Sequence, residues 1–337
     1  LSVNVHGRYI GLGPVVMSVK GITIALANGE IVKATPEQNS EIFYGAIGGY
    51  GGLGIILIAE LELVENANLL RVNRRIPITE YKQFFDSKVK SNKDVVFHNA
   101  DIYPKKYKKV NAVSWIKTDK ETNLNDLQIP KRVHPIAMYF LWAISMTPFG
   151  KWRREYILDK LVFLKNIVHS RNYEAGYNVA ELNPISGKNF SWILQEYFVP
   201  VRHVESFVKE MGEILNDYNV NVLNISIRHA EKDPGTLLAW ADEEVFAYVL
   251  YYRQNTDELS RNKVGIWTRQ LIDKALKYDG KYYLPYQLHA TIEQLHQAYP
   301  NMYKYFELKE KLDLEYRFQS SFFNKYYQNY LSKEIRK

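Results

Sequence analysis

The sequence of 337 residues predicts an α+β fold, in which helices cover one side of an antiparallel sheet. The prediction rests on three strand-like runs, Glu196–Val201, Val222–Ile227 and Val245–Tyr252. Between the first two runs, apolar residues recur at the spacings of three and four that indicate an amphipathic helix: Val204, Phe207, Val208, Met211, Ile214 and Leu215. A strand, a helix and two further strands in this order favour an antiparallel sheet with helices on one face.

Composition indicates a folded protein with a sizeable core, since 46% of the residues are hydrophobic and 26 are tyrosine. The length suggests two domains. The absence of cysteine excludes disulfides, thiolate metal sites and a cysteine nucleophile, and it fits a cytoplasmic protein. The net charge is +7, but the basic residues are scattered apart from two short clusters that we interpret as solvated faces, so we expect no nucleic-acid partner.

The longest apolar run, Ile136–Phe149, is too short to cross a bilayer, which takes about 20 residues. Trp152, Arg153 and Arg154 beside it would allow the run to lie on a membrane surface. A buried helix is the favoured interpretation. A location peripheral to the inner face of a membrane is the less favoured alternative.

The first 65 residues predict compact α/β structure. Val19–Ala27 and Glu30–Ala34 should form a hairpin, because Asn28-Gly29 between them accepts the positive φ of a tight turn. Thr35 is then the predicted N-cap of a helix reaching about Ala46, with Gln38 completing a capping box. A glycine-rich stretch and a strand at Ile55–Val64 follow.

Further along, we predict a helix marked by Leu158, Leu161, Val162 and Val168, and a long loop over residues 100–130. Near the end, Tyr282–Tyr286 reads as a strand and Ala290–Ala298 as a helix. A further helix should run through Leu312, before an aromatic tail.

Gly49, Gly51 and Gly54 match the dinucleotide-binding pattern GxGxxG. That motif follows a strand and opens a helix, whereas here a predicted helix precedes it and a strand follows. The glycines therefore indicate a close approach of the backbone to a bulky group, or a tight turn. No histidine–carboxylate group has convincing metal-ligand spacing, so we predict no metal site, and no GxSxG elbow supports serine hydrolysis.

An ordered set of motifs at the two ends of the chain resembles the p-cresol methylhydroxylase type of FAD-binding domain, found in the vanillyl-alcohol oxidase superfamily. The motifs are Val5-His6-Gly7-Arg8, Ile22–Ala34, Asn39–Phe43, Gly48–Ile56, Tyr299-Pro300, Leu308-Lys309, Leu312-Asp313 and Arg317-Phe318. The resemblance extends to the branch that oxidises sugars, aldonolactones and decaprenylphosphoryl-ribose. It implies a partial FAD domain made of residues 1–67 and 281–337, with residues 68–280 inserted as a substrate-binding cap domain.

The resemblance implies FAD as cofactor and two sets of contacts to it. Residues Asn4, Val5, His6 and Gly7 would run beside the flavin ring, and Gly49, Gly51, Gly54 and Ile55 near the adenosine. The first half of the FAD domain, with the pyrophosphate loop, has no counterpart in the sequence. Because the chain also opens inside a motif, we expect an upstream stretch to be missing.

Four side chains are candidates for the chemistry. His6 would orient the substrate beside the flavin, or alternatively bond backbone as a structural histidine. Arg228 matches an "I-R-x-A" strand that meets substrate in sugar-alcohol oxidases, with a surface salt bridge to Glu231, Asp242 or Glu243 as the alternative. Tyr286 stands where relatives place a lysine at the reacting centre. A phenol of pKa about 10 can hydrogen-bond a hydroxyl but is a poor base.

His289 is the alternative base, although strand alternation would place Leu288 rather than His289 beside Tyr286. Glu196 and Tyr251, on cap strands, are candidate substrate-binding residues. For the whole group, packing in an aromatic-rich protein is the competing interpretation.

The resemblance thus implies an FAD-dependent oxidoreductase that oxidises a C–OH group by hydride transfer to flavin N5. The expected partners are a small polyhydroxylated substrate, such as a sugar, polyol, aldonolactone or lipid-linked sugar, and an electron acceptor that the sequence does not identify. The alternative is a non-catalytic or membrane-surface binding protein that keeps the fold.

Overall fold

The structure is a computed structural model that describes residues 1–122, 142–176 and 188–331. Within these residues a three-stranded sheet has the order β2-β1-β3, and an eight-stranded sheet has the order β11-β8-β10-β9-β5-β6-β4-β7. Every pairing in both sheets is antiparallel. The strands are β1 Val19–Leu26, β2 Ile31–Ala34, β3 Gly54–Leu61, β4 Asn68–Pro77, β5 Val95–Ile102, β6 Lys109–Lys117, β7 Val168–Ser170, β8 Phe190–Pro200, β9 Asn221–Ala230, β10 Val245–Asn255 and β11 Lys281–Tyr282.

The helices occur mostly after the strands that they cover. A π-helical turn, Phe85–Lys90, extends the second helix, and another, Arg154–Leu158, joins the third to the fourth. The α-helices are α1 Ser40–Ala46, α2 Ile78–Phe84, α3 Gly150–Arg153, α4 Asp159–Val162, α5 Arg171–Ala175, α6 Val204–Asp217, α7 Glu258–Lys277, α8 Ile292–Ala298, α9 Met302–Leu312 and α10 Ser321–Leu331.

The two faces of the large sheet differ in chemistry. Phe207 of α6 packs on Tyr197 and Tyr248, whose rings point to the helix-covered side. Glu196 pairs with Val249, which pairs with Ser226 in turn, so these positions lie on the opposite face. Arg228, two residues beyond Ser226 on β9, shares that face. The core therefore lies under the helices, and the face that carries the candidate polar residues points away from them.

The hairpin forms as predicted, with Gly29 at φ +88° in the turn. The predicted start of α1 is wrong by several residues. Thr35 accepts hydrogen bonds from the amides of Glu37 and Gln38, but these close a turn rather than a helix. The helix begins only after Asn39, which is left-handed at φ +52° and therefore cannot continue a preceding helical turn.

The predicted loop over residues 100–130 is wrong for its first part, which contains the end of β5 and all of β6. Residues Val110–Trp115 of β6 are buried in succession, and burial of both faces removes the alternation that identifies a strand. Residues 123–130 of the predicted loop and 136–141 of the apolar run lie outside the described residues. None of the helices that the structure describes has the length and hydropathy needed to cross a bilayer.

Two predictions near the end and the middle of the chain are corrected. The strand at Tyr282–Tyr286 ends at Tyr282, because a turn around Pro285, which has no N–H to donate, takes the chain away from the sheet. The helix marked by Leu158 ends at Val162, and Val168 belongs to β7. The predicted helix ending at Ala298 is confirmed, with Thr291 and Gln294 forming a capping box.

Candidate functional site

The opening segment of the chain is fixed onto the loop between β9 and β10 by its backbone and one amide side chain. Asn4 is buried and left-handed at φ +50°, and its Nδ2 donates to Oδ2 of Asp233 at 2.8 Å. The indole N–H of Trp240 donates to the Asn4 carbonyl at 2.9 Å, and the Tyr283 hydroxyl donates to the Val3 carbonyl at 2.6 Å. The next residues therefore enter the large sheet's polar face in one defined position.

His6 and Glu196 form a buried pair on that face. The His6 Nε2 atom lies 2.5 Å from Oε1 of Glu196, and the two side chains are only 3% and 4% exposed. The rings of Phe198 and Trp240 pack edge-on against the imidazole, at centroid distances of 5.6 and 5.2 Å. Water is excluded from the pair, so its electrostatic interaction is weakly screened.

Tyr286, which lies in a third part of the chain, bonds the same carboxylate. Its hydroxyl donates to Oε2 of Glu196 at 3.4 Å. Burial, and then the negative charge of Glu196, raise the pKa of Tyr286, although Arg228 acts in the opposite direction. Tyr286 therefore remains a phenol at neutral pH, which suits a hydrogen-bond donor and not a base.

Arg228 faces this cluster from β9. Its Nε atom is buried without a hydrogen-bond partner, and among the described residues its guanidinium forms no ion pair. None of the salt bridges considered as the alternative is formed. Asp242 pairs with Lys281, Glu243 pairs with Arg202, and Glu231 lies 3.8 Å from His229. A half-buried cation without a protein counter-ion can interact with a developing negative charge on a ligand.

An open cleft of about 790 Å³ adjoins the cluster at Tyr286. His289 and Tyr251 line it as well. His289 and Tyr286 reach the same cavity, because the strand has already ended at Tyr282 and alternation no longer separates the two side chains. Burial, followed by Arg269 and Lys325, lowers the pKa of His289 to about 4, so the ring is neutral at pH 7. Its Nε2 lies 2.9 Å from the Gln287 side-chain oxygen.

The glycines predicted near the cofactor fall into two groups. At Gly7 and at Gly51, which has φ +74°, a Cβ would meet no atom within 4 Å. At Gly49 and Gly54 a Cβ would lie 2.0 Å from the Gly45 carbonyl oxygen and 2.4 Å from that of Ala25. The second pair is therefore required by packing inside the protein, and only the first pair leaves open backbone. Val5 and Ile55 are exposed beside these open positions.

Three polar features of the fold are not predicted by the sequence patterns. Trp192, four residues before Glu196 on β8, lines the cleft, and strand alternation could have placed it there. Lys309 and Asp313 form a completely buried pair beneath the glycine-rich turn, at the spacing of one helical turn.

The third feature brings together His229, Glu231 and Glu244, whose ligand-type atoms lie within 4.8 Å of one another. Lys90 already bonds Glu244 at 2.6 Å there.

Two known proteins resemble this chain in sequence over a short stretch. No family model matches the sequence. Two cytokinin dehydrogenases of Oryza sativa subsp. japonica, numbers 9 and 4, are 32% and 37% identical to the chain over 68 residues, which are 20% of this chain and 13% of each relative. The match thus spans about an eighth of the length of these curated relatives.

Solved structures match over nearly the whole chain. Cholesterol oxidase from B. sterolicum superposes with a TM-score of 0.66 at 11% identity, over 96% of this chain and 73% of the other. A variant of that enzyme gives 0.64 at 11% identity, over 96% and 74%. The predicted fold class is confirmed: the chain has the mixed helix and antiparallel-sheet fold of this cholesterol oxidase.

Proposed function

We propose that the protein is an FAD-dependent oxidoreductase that oxidises a C–OH group of a sugar, polyol, aldonolactone or lipid-linked sugar. The observation that carries the proposal is the convergence of three distant segments on one carboxylate: His6 of the opening segment and Tyr286 of the closing segment both bond Glu196 of the cap. The fold shared with cholesterol oxidase and the local similarity to cytokinin dehydrogenases support it.

The residues present fit a flavin cofactor. Gly7 and Gly51 offer backbone that a large planar group can approach closely, and the exposed Val5 and Ile55 offer apolar surface beside them. We propose that Asn4–Gly7 lie along the flavin ring and that Gly51 and Ile55 lie near the adenosine. Bound FAD would supply the hydride acceptor, flavin N5.

The protein's own share is to position the substrate and to manage one proton. We propose that the His6–Glu196 pair accepts the hydroxyl proton, because a buried carboxylate stabilises the imidazolium that results. The Tyr286 O–H donates to Glu196, so its oxygen is left to accept a hydrogen bond from the substrate hydroxyl and to fix the orientation of that group. Arg228 provides positive charge where the alkoxide character develops. The neutral His289 hydrogen-bonds substrate farther along the cleft.

The test replaces the unpaired cation. We expect Arg228→Ala to lower the rate of flavin reduction by substrate about 100-fold or more, since removal of one preorganised electrostatic group typically costs that much. The rate is measured as anaerobic loss of the oxidised-flavin absorption band in stopped flow.

A matched control is Arg202→Ala, which removes a half-exposed arginine that pairs with Glu243 and Asp279 at the surface. Flavin reduction in this variant should match the wild-type rate. Protein that carries no flavin absorption, or an Arg228→Ala variant with unchanged reduction kinetics, would contradict the proposal.

A further inference from the structure

The cleft next to Tyr286 extends along β8 well beyond the proposed reacting centre. Glu196 and Trp192 lie on one face of β8, four residues apart, which corresponds to about 13 Å at the rise of a strand. Tyr286 contacts Glu196 at one end of this distance, and the cleft that it lines includes Trp192 at the other. The cavity's volume of about 790 Å³ is within the range for ligands larger than one sugar ring.

The far end of the cleft has an aromatic wall with an unused hydrogen-bond donor. Trp192 and Tyr251 pack together at a centroid distance of 5.7 Å. The Nε1 atom of Trp192 is buried and has no hydrogen-bond partner. A buried donor without an acceptor is costly, so an acceptor oxygen supplied by a ligand would be stabilised there.

The cleft's lining is neutral. Among the described residues that line it, none carries a charge at pH 7, since His289 has its pKa lowered to about 4. Two cations lie behind the wall, but Arg269 donates to the His289 carbonyl and Lys325 to the carbonyls of Leu288 and Ala290. Both cations thus bond the backbone of this loop, and neither is among the residues that line the cavity. A phosphate or carboxylate in the cleft would therefore lose its hydration without gaining a counter-ion.

We propose that the wall formed by Trp192 and Tyr251 is a distal subsite for the second ring of an uncharged disaccharide, with the ring to be oxidised at Tyr286. An indole face accepts the apolar face of a pyranose, its N–H donates to a ring or hydroxyl oxygen, and Gln287 and His289 supply further uncharged hydrogen bonds. This inference rests on the proposed function for the position of the reacting ring. It narrows the substrate class from sugars in general to neutral two-ring sugars.

The experiment measures binding without relying on flavin chemistry. Maltose and cellobiose are titrated against the purified chain by saturation-transfer difference NMR, with glucose as the one-ring control and glucose 6-phosphate as the anionic control. We expect at least one disaccharide to bind about 10-fold or more tightly than either control. The subsite is refuted if neither disaccharide binds, or if glucose 6-phosphate binds as tightly.

Two variants separate stacking from hydrogen bonding. Trp192→Ala should weaken disaccharide binding by 10-fold or more, and Trp192→Phe by about threefold to tenfold, which is the effect of one lost hydrogen bond. Trp152→Ala removes an exposed tryptophan of α3 and should leave binding unchanged. Equal binding by the wild type and Trp192→Ala would overturn the proposal, and far-ultraviolet circular dichroism confirms that each variant is folded.

The two proposals can fail separately. Disaccharide binding that depends on Trp192 in a protein without flavin would leave the subsite and refute the oxidoreductase. Flavin reduction by a monosaccharide at full rate, with no disaccharide binding, would refute the subsite and leave the proposed oxidoreductase activity intact.

Discussion

Two buried pairs of ionisable side chains hold distant parts of this chain together, and their surroundings differ in how completely the hydrogen bonds are satisfied. The Lys309 ammonium donates to the carbonyls of Gly52 and Phe318 and to Asp313 Oδ2, at 2.8–2.9 Å. Asp313 in turn accepts from the amides of Arg317 and Phe318. Every proton of the ammonium therefore has an acceptor in the protein.

The His6–Glu196 pair stands in contrast, because unused donors lie on the same face of the sheet. The Nε atom of Arg228, which faces the pair, is buried without a partner, and so is Nε1 of Trp192 farther along β8. A complete network indicates that a pair holds the fold together, whereas an incomplete one beside a cleft indicates that a ligand supplies the missing groups. By this criterion the Lys309–Asp313 pair belongs to the fold, and the His6–Glu196 pair is the candidate for ligand binding.

The largest expected effect comes from breaking the complete pair. Lys309→Met leaves the buried Asp313 carboxylate and two carbonyls without their donor, so the free energy of unfolding should fall by about 3–5 kcal/mol in urea denaturation. Lys311→Met, two residues away on the exposed side of α9, should change it by less than about 0.5 kcal/mol. Similar small losses for both variants would contradict the assignment of Lys309 to the fold.

A smaller effect is expected at two glycines, one that internal packing requires and one that leaves open backbone for a ligand. Gly49→Ala would place a methyl group 2.0 Å from the Gly45 carbonyl oxygen and 2.9 Å from the Tyr305 ring, and we expect a loss of about 1–3 kcal/mol. Gly7→Ala meets no atom and should leave the unfolding free energy nearly unchanged while weakening flavin retention. Thermal denaturation and the flavin absorbance of the purified variants measure the two outcomes. A destabilised Gly7→Ala variant would contradict the assignment of Gly7 to open backbone.

The smallest effect concerns the partly exposed group at Glu244. Hydrogen bonds from His229 and Lys90, against the opposing effect of burial, lower the pKa of Glu244 from 4.5 to about 2. A depressed carboxyl pKa stabilises the folded state above pH 4.5, and this contribution is lost as the pH falls towards 2. Glu244→Gln should therefore remove about 1 kcal/mol at pH 6, because solvent screens the pair, and almost nothing near pH 2. An equal loss at both pH values would exclude this linkage.

Sequence patterns were sufficient where local rules determine structure. The Asn28-Gly29 turn fixed the hairpin, and apolar spacing located α6 close to its observed bounds. They failed where tertiary contacts decide the outcome. Burial on both faces hid β6, and Thr35 capped a turn instead of a helix.

The candidate site shows the same division. The resemblance supplied His6, Arg228 and Tyr286, and a predicted strand supplied Glu196. The structure brings His6, Glu196 and Tyr286 into one cluster, with Arg228 facing it. Trp192 was not selected, because the predicted strand begins at Glu196 and its alternation was not extended back to residue 192. Only the fold reveals that its N–H lacks a partner.

The sequence separations across the cluster bear on how the protein reaches this state. His6 meets Glu196 across 190 residues, Val3 meets Tyr283 across 280, and Gly52 meets Lys309 across 257. Closing such long loops costs conformational entropy before the contacts that they bring together can stabilise the fold. Folding should therefore be slow, and these contacts should form last. On a ribosome, the segment around Val3 and His6 must therefore wait for the segment around Tyr283 before all its contacts can form. Until then it leaves the polar face of the large sheet uncovered.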